Sequence, residues 1–296
     1  MKKSNPFLSI VTPTYNRAKL LGTCYESLLR QSDCDFEWII VDDGSTDDTE
    51  AVVNTFQTDN FSVTYVKKEN GGKHTALNVS HMYIQGEYVL ILDSDDALIH
   101  TAVEEVRKGW EEYADQENIG LVVFLRGSSE EDPKAYAKKE KVPVDILRYK
   151  RVCVHSSDCC EVIRTELFKR YPFPVFAGEK FLSEGALWNR LAKTHKCVYI
   201  NKVIYLCEYL EGGLTKSGRA MRIRNPRGGM YSSELCMGPN NFLKPRIKKG
   251  ILFCCYGFFS GMSGIEIIQN SKFKTLTGLC LAPGYVLFRI WKKKYV

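Results

Sequence analysis

Asp93, Ser94, Asp95 and Asp96 place three carboxylates within four positions, directly after the run Tyr88–Val89–Leu90–Ile91–Leu92. An unbroken apolar run of that length reads as a strand buried on both faces, as in a parallel sheet covered by helices. Such a strand cannot keep unpaired charge in its core, so the acids must sit just past its carboxyl end. That rim is where open α/β sheets bind their ligands. Carboxylates so crowded repel one another unless a cation lies among them. A hard divalent ion, Mg2+ or Mn2+, answers that need and would also grip phosphates. Asp95 or Asp96 could instead simply open a helix over Ala97–Trp110 as its N-cap. The surrounding elements have to decide.

A second acid cluster, Asp42–Asp43–Gly44–Ser45–Thr46–Asp47, follows the apolar stretch Phe36–Val41. A turn at Glu69–Asn70–Gly71–Gly72–Lys73–His74 precedes a helical stretch, Thr75–Tyr83. Backbone N–H groups and a lysine at a helix start suit a diphosphate. The elements that would carry these clusters alternate. Strands are expected at Leu8–Thr14 (stopped by Pro13), Phe36–Val41, Ser62–Val66, Tyr88–Leu92, Gly120–Leu125 and Cys160–Arg164. Between them, helices are expected after Arg17, with Leu20, Leu21, Cys24, Leu28 and Leu29 on one face, and at Thr49–Phe56, Thr75–Tyr83 and Thr165–Arg170. Strand–helix alternation of this kind predicts an α/β fold whose loops share one rim.

With 296 residues, 44% of them hydrophobic and 26% charged, the chain is long enough for one large or two small globular domains. Eleven cysteines without Cys-x-x-Cys spacing argue against a zinc site and a disulfide framework. His155 and His195 lack metal-ligand spacing with other His or Cys and read as structural. A reducing, cytosolic compartment is expected, since Met1–Pro6 leads straight into a strand without a secretory h-region. The net charge of +6 hides an asymmetry. Residues 1–200 carry 25 Lys+Arg against 31 Asp+Glu, whereas residues 201–296 carry 16 against 4, so the C-terminal part is the one suited to an anionic partner.

Four stretches together carry a resemblance: Ser9-Ile-Val-Thr-Pro-Thr-Tyr-Asn-Arg17, Ile40-Val-Asp-Asp-Gly-Ser-Thr-Asp47, Asn70-Gly-Gly-Lys-His-Thr-Ala-Leu-Asn78 and Leu92-Asp-Ser-Asp-Asp96. Their content and order are similar to the successive motifs of family 2 glycosyltransferases, and they cover about the first hundred residues. The resemblance implies a GT-A fold, a Rossmann-like mixed sheet flanked by helices, and inverting transfer from a nucleotide sugar, UDP-linked by expectation, to a glycan acceptor in surface polysaccharide synthesis. It implies that Pro13, Tyr15 and Arg17 line the nucleotide and that Asp43 or Asp42 accepts from the base, a carboxylate being a pure acceptor. Lys73 and Asn78 would face the diphosphate side. Asp93 and Ser94 would face the donor, and Asp95 with Asp93 the Mn2+ or Mg2+. Phe181–Leu191 resembles the acceptor motif, in which an acid at a helix start is the general base. Gly185 stands where many members have Asp, which leaves Glu184 as the expected base, Glu179 as the fallback and Trp188 as a candidate sugar-stacking ring. Nucleotidyl transfer is the enzymatic alternative, but Pro13–Thr14–Tyr15 is not a Gly-rich phosphate loop.

The expected organisation is a catalytic domain over 1–210, with a nucleotide-sugar half at 1–125 and an acceptor half at 126–210. A basic loop region would follow at 211–246 and an apolar, basic helical tail at 247–296. The charged segment Gly127–Lys150 reads as a mobile insertion or acceptor-side loop. In the tail, Ile251–Met262 and Leu276–Trp291 are apolar runs beside Lys244, Arg246, Lys248, Lys249 and Lys292–Lys294. Glu266 and the glycines disfavour a spanning helix, so the expectation is a helix lying on an anionic membrane surface, near a polyprenyl-diphosphate-linked acceptor. Nucleic-acid binding is the non-enzymatic alternative, and is disfavoured because the cations flank apolar runs and do not interleave with exposed aromatics.

Overall fold

The computed structural model describes residues 5–147, 159–207 and 218–296. His155 and the stretch Leu214–Ser217 of the basic loop lie outside them, as do the last residues of the 127–150 segment. The described chain groups into two compact units that interleave in sequence. One holds the N-terminal part to Pro172 together with Thr194–Glu208, and the other holds Phe173–Lys193 together with the C-terminal part from Tyr209.

The first unit is built on one mixed sheet. Its strands are β1 (Leu8–Thr14), β2 (Phe36–Asp42), β3 (Ser62–Lys67), β4 (Tyr88–Ile91), β5 (Ala97–Leu98), β6 (Ile119–Gly127), β7 (Val144–Asp145), β8 (Cys159–Arg164) and β9 (Lys196–Leu206). Their order is β3-β2-β1-β4-β8-β6-β9-β5, with β7 also on β9. The strands β3, β2, β1 and β4 run parallel, and β8 enters antiparallel between β4 and β6. Helices α1 (Leu21–Leu29), α2 (Thr49–Val53), α3 (Lys73–Ser80), α4 (Ala102–Glu111) and α5 (Thr165–Arg170) complete the α/β alternation. The central strands are buried along their whole length, as their apolar runs require. Trp38, Trp110, Tyr88 and Tyr205 are the largest fully buried side chains of this core.

Three boundaries differ from the sequence expectation, each for a reason outside local propensity. Pro13 does not stop β1 but pairs with Val41 inside it. Ladder pairing to β4 ends at Val11–Ile91, so the missing Pro N–H falls where β1 has a partner on one side only. Ala97–Leu98, expected as a helix start, pairs with Leu206 and Tyr205 as a short strand, and α4 begins five residues later. Within the charged segment after Gly127, Lys134 donates to the Arg126 carbonyl (2.8 Å), and β7 pairs with β9.

The second unit is helical: α6 (Gly185–Leu191), α7 (Gly218–Arg224), α8 (Pro226–Glu234), α9 (Leu243–Phe259), α10 (Gly264–Gln269) and α11 (Lys274–Tyr295). Both apolar runs of the tail are thus helices. They pack through a core of Phe253, Cys254, Cys255, Tyr256, Ile267, Cys280 and Trp291. Among the described residues, no helix is long and apolar enough to cross a membrane.

Candidate functional site

Because β1 pairs in parallel with both β2 and β4, the loops that follow these three strands are brought to one edge of the sheet. The first two are laced together. Asn16, at φ +52°, accepts from the Thr46 N–H through Oδ1 (2.8 Å), and its own N–H donates to Ser45 Oγ (2.8 Å). The Ala18 N–H donates to Asp47 (3.1 Å). Pro13 is buried in β1, Arg17 is half-buried, and Tyr15 is 47% exposed.

Asp42 and Asp43 are both buried and both engaged. Asp42 accepts from the Ser45 N–H (2.7 Å) and the Tyr65 hydroxyl (2.6 Å). Asp43 accepts from Lys68 Nζ (2.6 Å), Asn70 Nδ2 (3.1 Å) and the N–H groups of Gly71 (2.9 Å) and Gly72 (2.6 Å). The Asp42 carboxylate therefore ties its own turn to β3, and the Asp43 carboxylate folds the turn that precedes α3. Two glycines make the approach possible. Gly44 sits at φ +83°, where an added Cβ would lie 2.8 Å from the Asn70 nitrogen, and Gly72 caps α3 at φ +95°.

The third cluster is more polar than three bare acids. Lys73, the first residue of α3, ion-pairs with one oxygen of Asp93, and Arg126 from β6 stands 3.6 Å from the other. The Arg126 guanidinium lies 3.9 Å over the Tyr205 ring. The Tyr205 hydroxyl donates to Asp96 (2.8 Å) and accepts from the Asp93 N–H (2.9 Å). Burial pushes the Asp93 carboxyl up, but Lys73 and Arg126 outweigh it and hold the group below its ordinary value. Asp96 goes the other way. Burial, then the Asp93 charge, raise it to about 7, against the Tyr205 hydrogen bond. Asp95 has the loosest tie of the three, 3.9 Å from Arg17. Ser94 is buried between them, and Asn78 is half-buried on α3. His74 is buried with Nδ1 unsatisfied and its basicity lowered by that burial, which fits a neutral ring.

Arg126 and Tyr205 escaped the sequence reading. Arg126 carried a signal, for it ends an apolar run as the acids end β4. Tyr205 carried none, because β9 was not expected.

In the helical unit, Glu184 is the residue before α6, and its side chain makes no cap bond to that helix. Glu179, the fallback, is committed: its carboxylate accepts from the N–H groups of Arg227 (2.7 Å) and Gly228 (2.8 Å) and so caps α8. Trp188 is only 7% exposed, which leaves little ring face for a sugar. Among the described residues, no three His, Cys, Asp or Glu side chains converge as a ready-made metal cage.

The model of "Glycosyl transferase family 2" matches residues 9–171, more than half of the chain, and takes in all the rim motifs. The chain belongs to glycosyltransferase family 2. This transferase is 26% identical over 223 residues to the glycosyltransferase GlyG of Streptococcus pneumoniae, covering 71% of the chain and 73% of GlyG. It is 31% identical over 212 residues to the GalNAc(5)-diNAcBac-PP-undecaprenol beta-1,3-glucosyltransferase of Campylobacter jejuni, covering 67% of the chain and 63% of that protein. Among solved structures, S. aureus TarS 1-349 in complex with UDP-GlcNAc superposes with a TM-score of 0.68 at 18% identity, over 98% of this chain and 91% of that one. At such identity the likeness concerns the fold, and the transferase has the GT-A fold.

Proposed function

We propose that the transferase moves a sugar from a UDP-sugar, with inversion, to a glycan acceptor carried on a polyprenyl diphosphate at an anionic membrane surface. Support for the donor comes from the rim, where Tyr15, Arg17, Lys73 and Arg126 surround three carboxylates with groups suited to a nucleoside diphosphate. TarS, of the same fold, binds UDP and UDP-GlcNAc. Support for the acceptor comes from the Campylobacter relative, whose name gives it an undecaprenol-linked substrate.

The observation that carries the reading is the inequality among the acids. Asp93 is held between two cations and Asp96 by Tyr205, whereas Asp95 keeps only a loose pair with Arg17. Mg2+ and Mn2+ are commonly bound by one or two carboxylates plus substrate phosphates, so a rim without an all-protein cage still fits such an ion. Asp95, with Asp93 beside it, would hold it. When bound, the ion would neutralise charge growing on the departing diphosphate. Lys73 and Arg17 add positive charge on the same edge, and Tyr15 offers its ring to the base.

Glu184 is the proposed general base. It takes the proton of the acceptor hydroxyl as that oxygen bonds to the anomeric carbon, while the bond from that carbon to the phosphate oxygen breaks and UDP leaves. Thermal denaturation with UDP, with and without Mn2+, tests the donor half. Nucleotide at about a hundred times its Kd should add about 2.7 kcal/mol, only with metal present, and Asp95→Asn should remove the effect. Glu184→Gln should keep that stabilisation and lose turnover. UDP stabilisation indifferent to both Mn2+ and Asp95→Asn would overturn the metal-held donor, and undiminished turnover in Glu184→Gln would overturn the base.

A further inference from the structure

Helix α11 buries one face and leaves the opposite one bare. Thr277, Cys280, Gly284 and Trp291 form the buried face, at helical spacing, against the core of the helical unit. Half a turn away, Leu279, Ala282, Pro283, Val286 and Ile290 are exposed, with Leu279 at 76%, Val286 at 57% and Ile290 at 56%. These positions recur every three or four residues, so they form one apolar stripe and are not scattered single hydrophobics. Exposed cations stand at both ends. Lys272 and Lys274 precede the stripe; Arg289, Lys292, Lys293 and Lys294 flank or follow it. Residues 271–296 contain no Asp or Glu.

We infer that this face of α11 is the transferase's membrane-docking surface and that its partner is an anionic bilayer. The inference rests on the reading of a lipid-linked acceptor and adds the element that reaches the lipid. Charge selects the partner. A second copy pairing stripe to stripe would bring lysines against lysines in either direction, because both ends of the helix are basic. An anionic leaflet lets the apolar residues enter the headgroup boundary while the cations meet lipid phosphates. The helix would lie in the interface, in keeping with the lack of any described helix fit to span.

Co-sedimentation of the full chain with vesicles tests this, using phosphatidylcholine alone and phosphatidylcholine mixed with phosphatidylglycerol. The wild type should pellet with the anionic vesicles and bind the neutral ones about tenfold more weakly or worse. The double variant Val286→Asp/Ile290→Asp should lose anionic binding by about tenfold or more. A triple change of Lys292, Lys293 and Lys294 to Gln should abolish the preference for anionic lipid. Met82→Asp, at an exposed methionine of the sheet unit, should bind as the wild type does. All substituted side chains are exposed, and unchanged circular dichroism confirms that each variant folds. The inference is overturned if the wild type ignores anionic vesicles, or if the stripe variant binds them undiminished. It is equally overturned if the wild type sediments as a dimer that the stripe variant dissociates while vesicles bind neither. No nucleotide enters the assay, so its failure leaves the UDP result standing, and the converse holds.

Discussion

Asp43 shows how a rim carboxylate can shape a site before it meets any ligand. Its side chain is 4% exposed and collects Lys68, Asn70 and two consecutive backbone N–H groups. Removing it would leave the Lys68 ammonium, 18% exposed, without its carboxylate, and would release the turn that starts α3. Asp43→Ala should therefore cost about 3 kcal/mol in urea unfolding, the scale for breaking one partner out of a buried pair. Turnover should fall with it, because Lys73 follows that turn. A variant of wild-type stability would show that the clamp contributes nothing. His81, just beyond α3, gives a pH prediction. Burial, then the Lys169 charge, lower its imidazole from 6.5 to about 4, and it packs edge-on against Phe168. As pH falls below 6.5, the unfolded chain takes up a proton that the native state refuses, so stability is lost between there and about pH 4. Over that window the wild type should lose about 2 kcal/mol more than His81→Gln, after discounting for partial solvent access. Parallel stability profiles for the two would contradict this.

At the scale of elements, α8 supplies the test that separates two acids. Pro226 is its first residue, and Glu179 from the preceding segment bonds the N–H groups of Arg227 and Gly228. A carboxylate placed there satisfies donors that the helix itself cannot, and complements its dipole. Glu179→Ala should lower stability by about 1–2 kcal/mol while each folded molecule turns over as before. A folded but inactive Glu179→Ala would move the base assignment from Glu184 to Glu179. How far such elements can be foreseen depends on where their cause lies. β1, β2 and β4 were legible because strands buried along their length must be mostly apolar, and the half-exposed edge strand β3 because Val63, Tyr65 and Val66 favour a pleated, partly buried surface. The helix expected from Ala97 is there, but its start could not be placed, because Ala97 and Leu98 pair with a strand more than a hundred residues later and the helix begins only at Ala102. That strand, β9, was missed because Asn201 and Lys202 interrupt its apolar pattern. With it went Tyr205, and so the sequence offered three acids that repel, where the fold provides Lys73, Arg126 and a tyrosine hydroxyl among them.

For the molecule as a whole, two kinds of electrostatics should separate under salt. The rim's central pairs are partly shielded from water: Lys68 and Asp43 are 18% and 4% exposed, Arg126 is 14% exposed, and Lys73 and Asp93 are 31% and 27% exposed. Most cations of the C-terminal helices stand in solvent, and residues 218–296 carry 14 Lys+Arg against 2 Asp+Glu. Screening acts on the second set far more than on the first. The Debye length is about 8 Å at physiological ionic strength and about 3 Å at 1 M. Raising salt from the first value to the second should therefore weaken attraction to an anionic bilayer by about tenfold or more, while the folded rim persists. Two acceptors read the difference. Turnover on a polyprenyl-linked acceptor embedded in phosphatidylglycerol-containing vesicles should fall steeply with salt. On a short-chain, water-soluble analogue it should fall much less, because only the donor rim is then engaged. The triple Lys292, Lys293, Lys294 to Gln variant should behave at low salt as the wild type does at high salt on the embedded acceptor, and like the wild type on the soluble one. Equal salt sensitivity on both acceptors would place the screened charges in the donor site and remove the helices from the path to the acceptor.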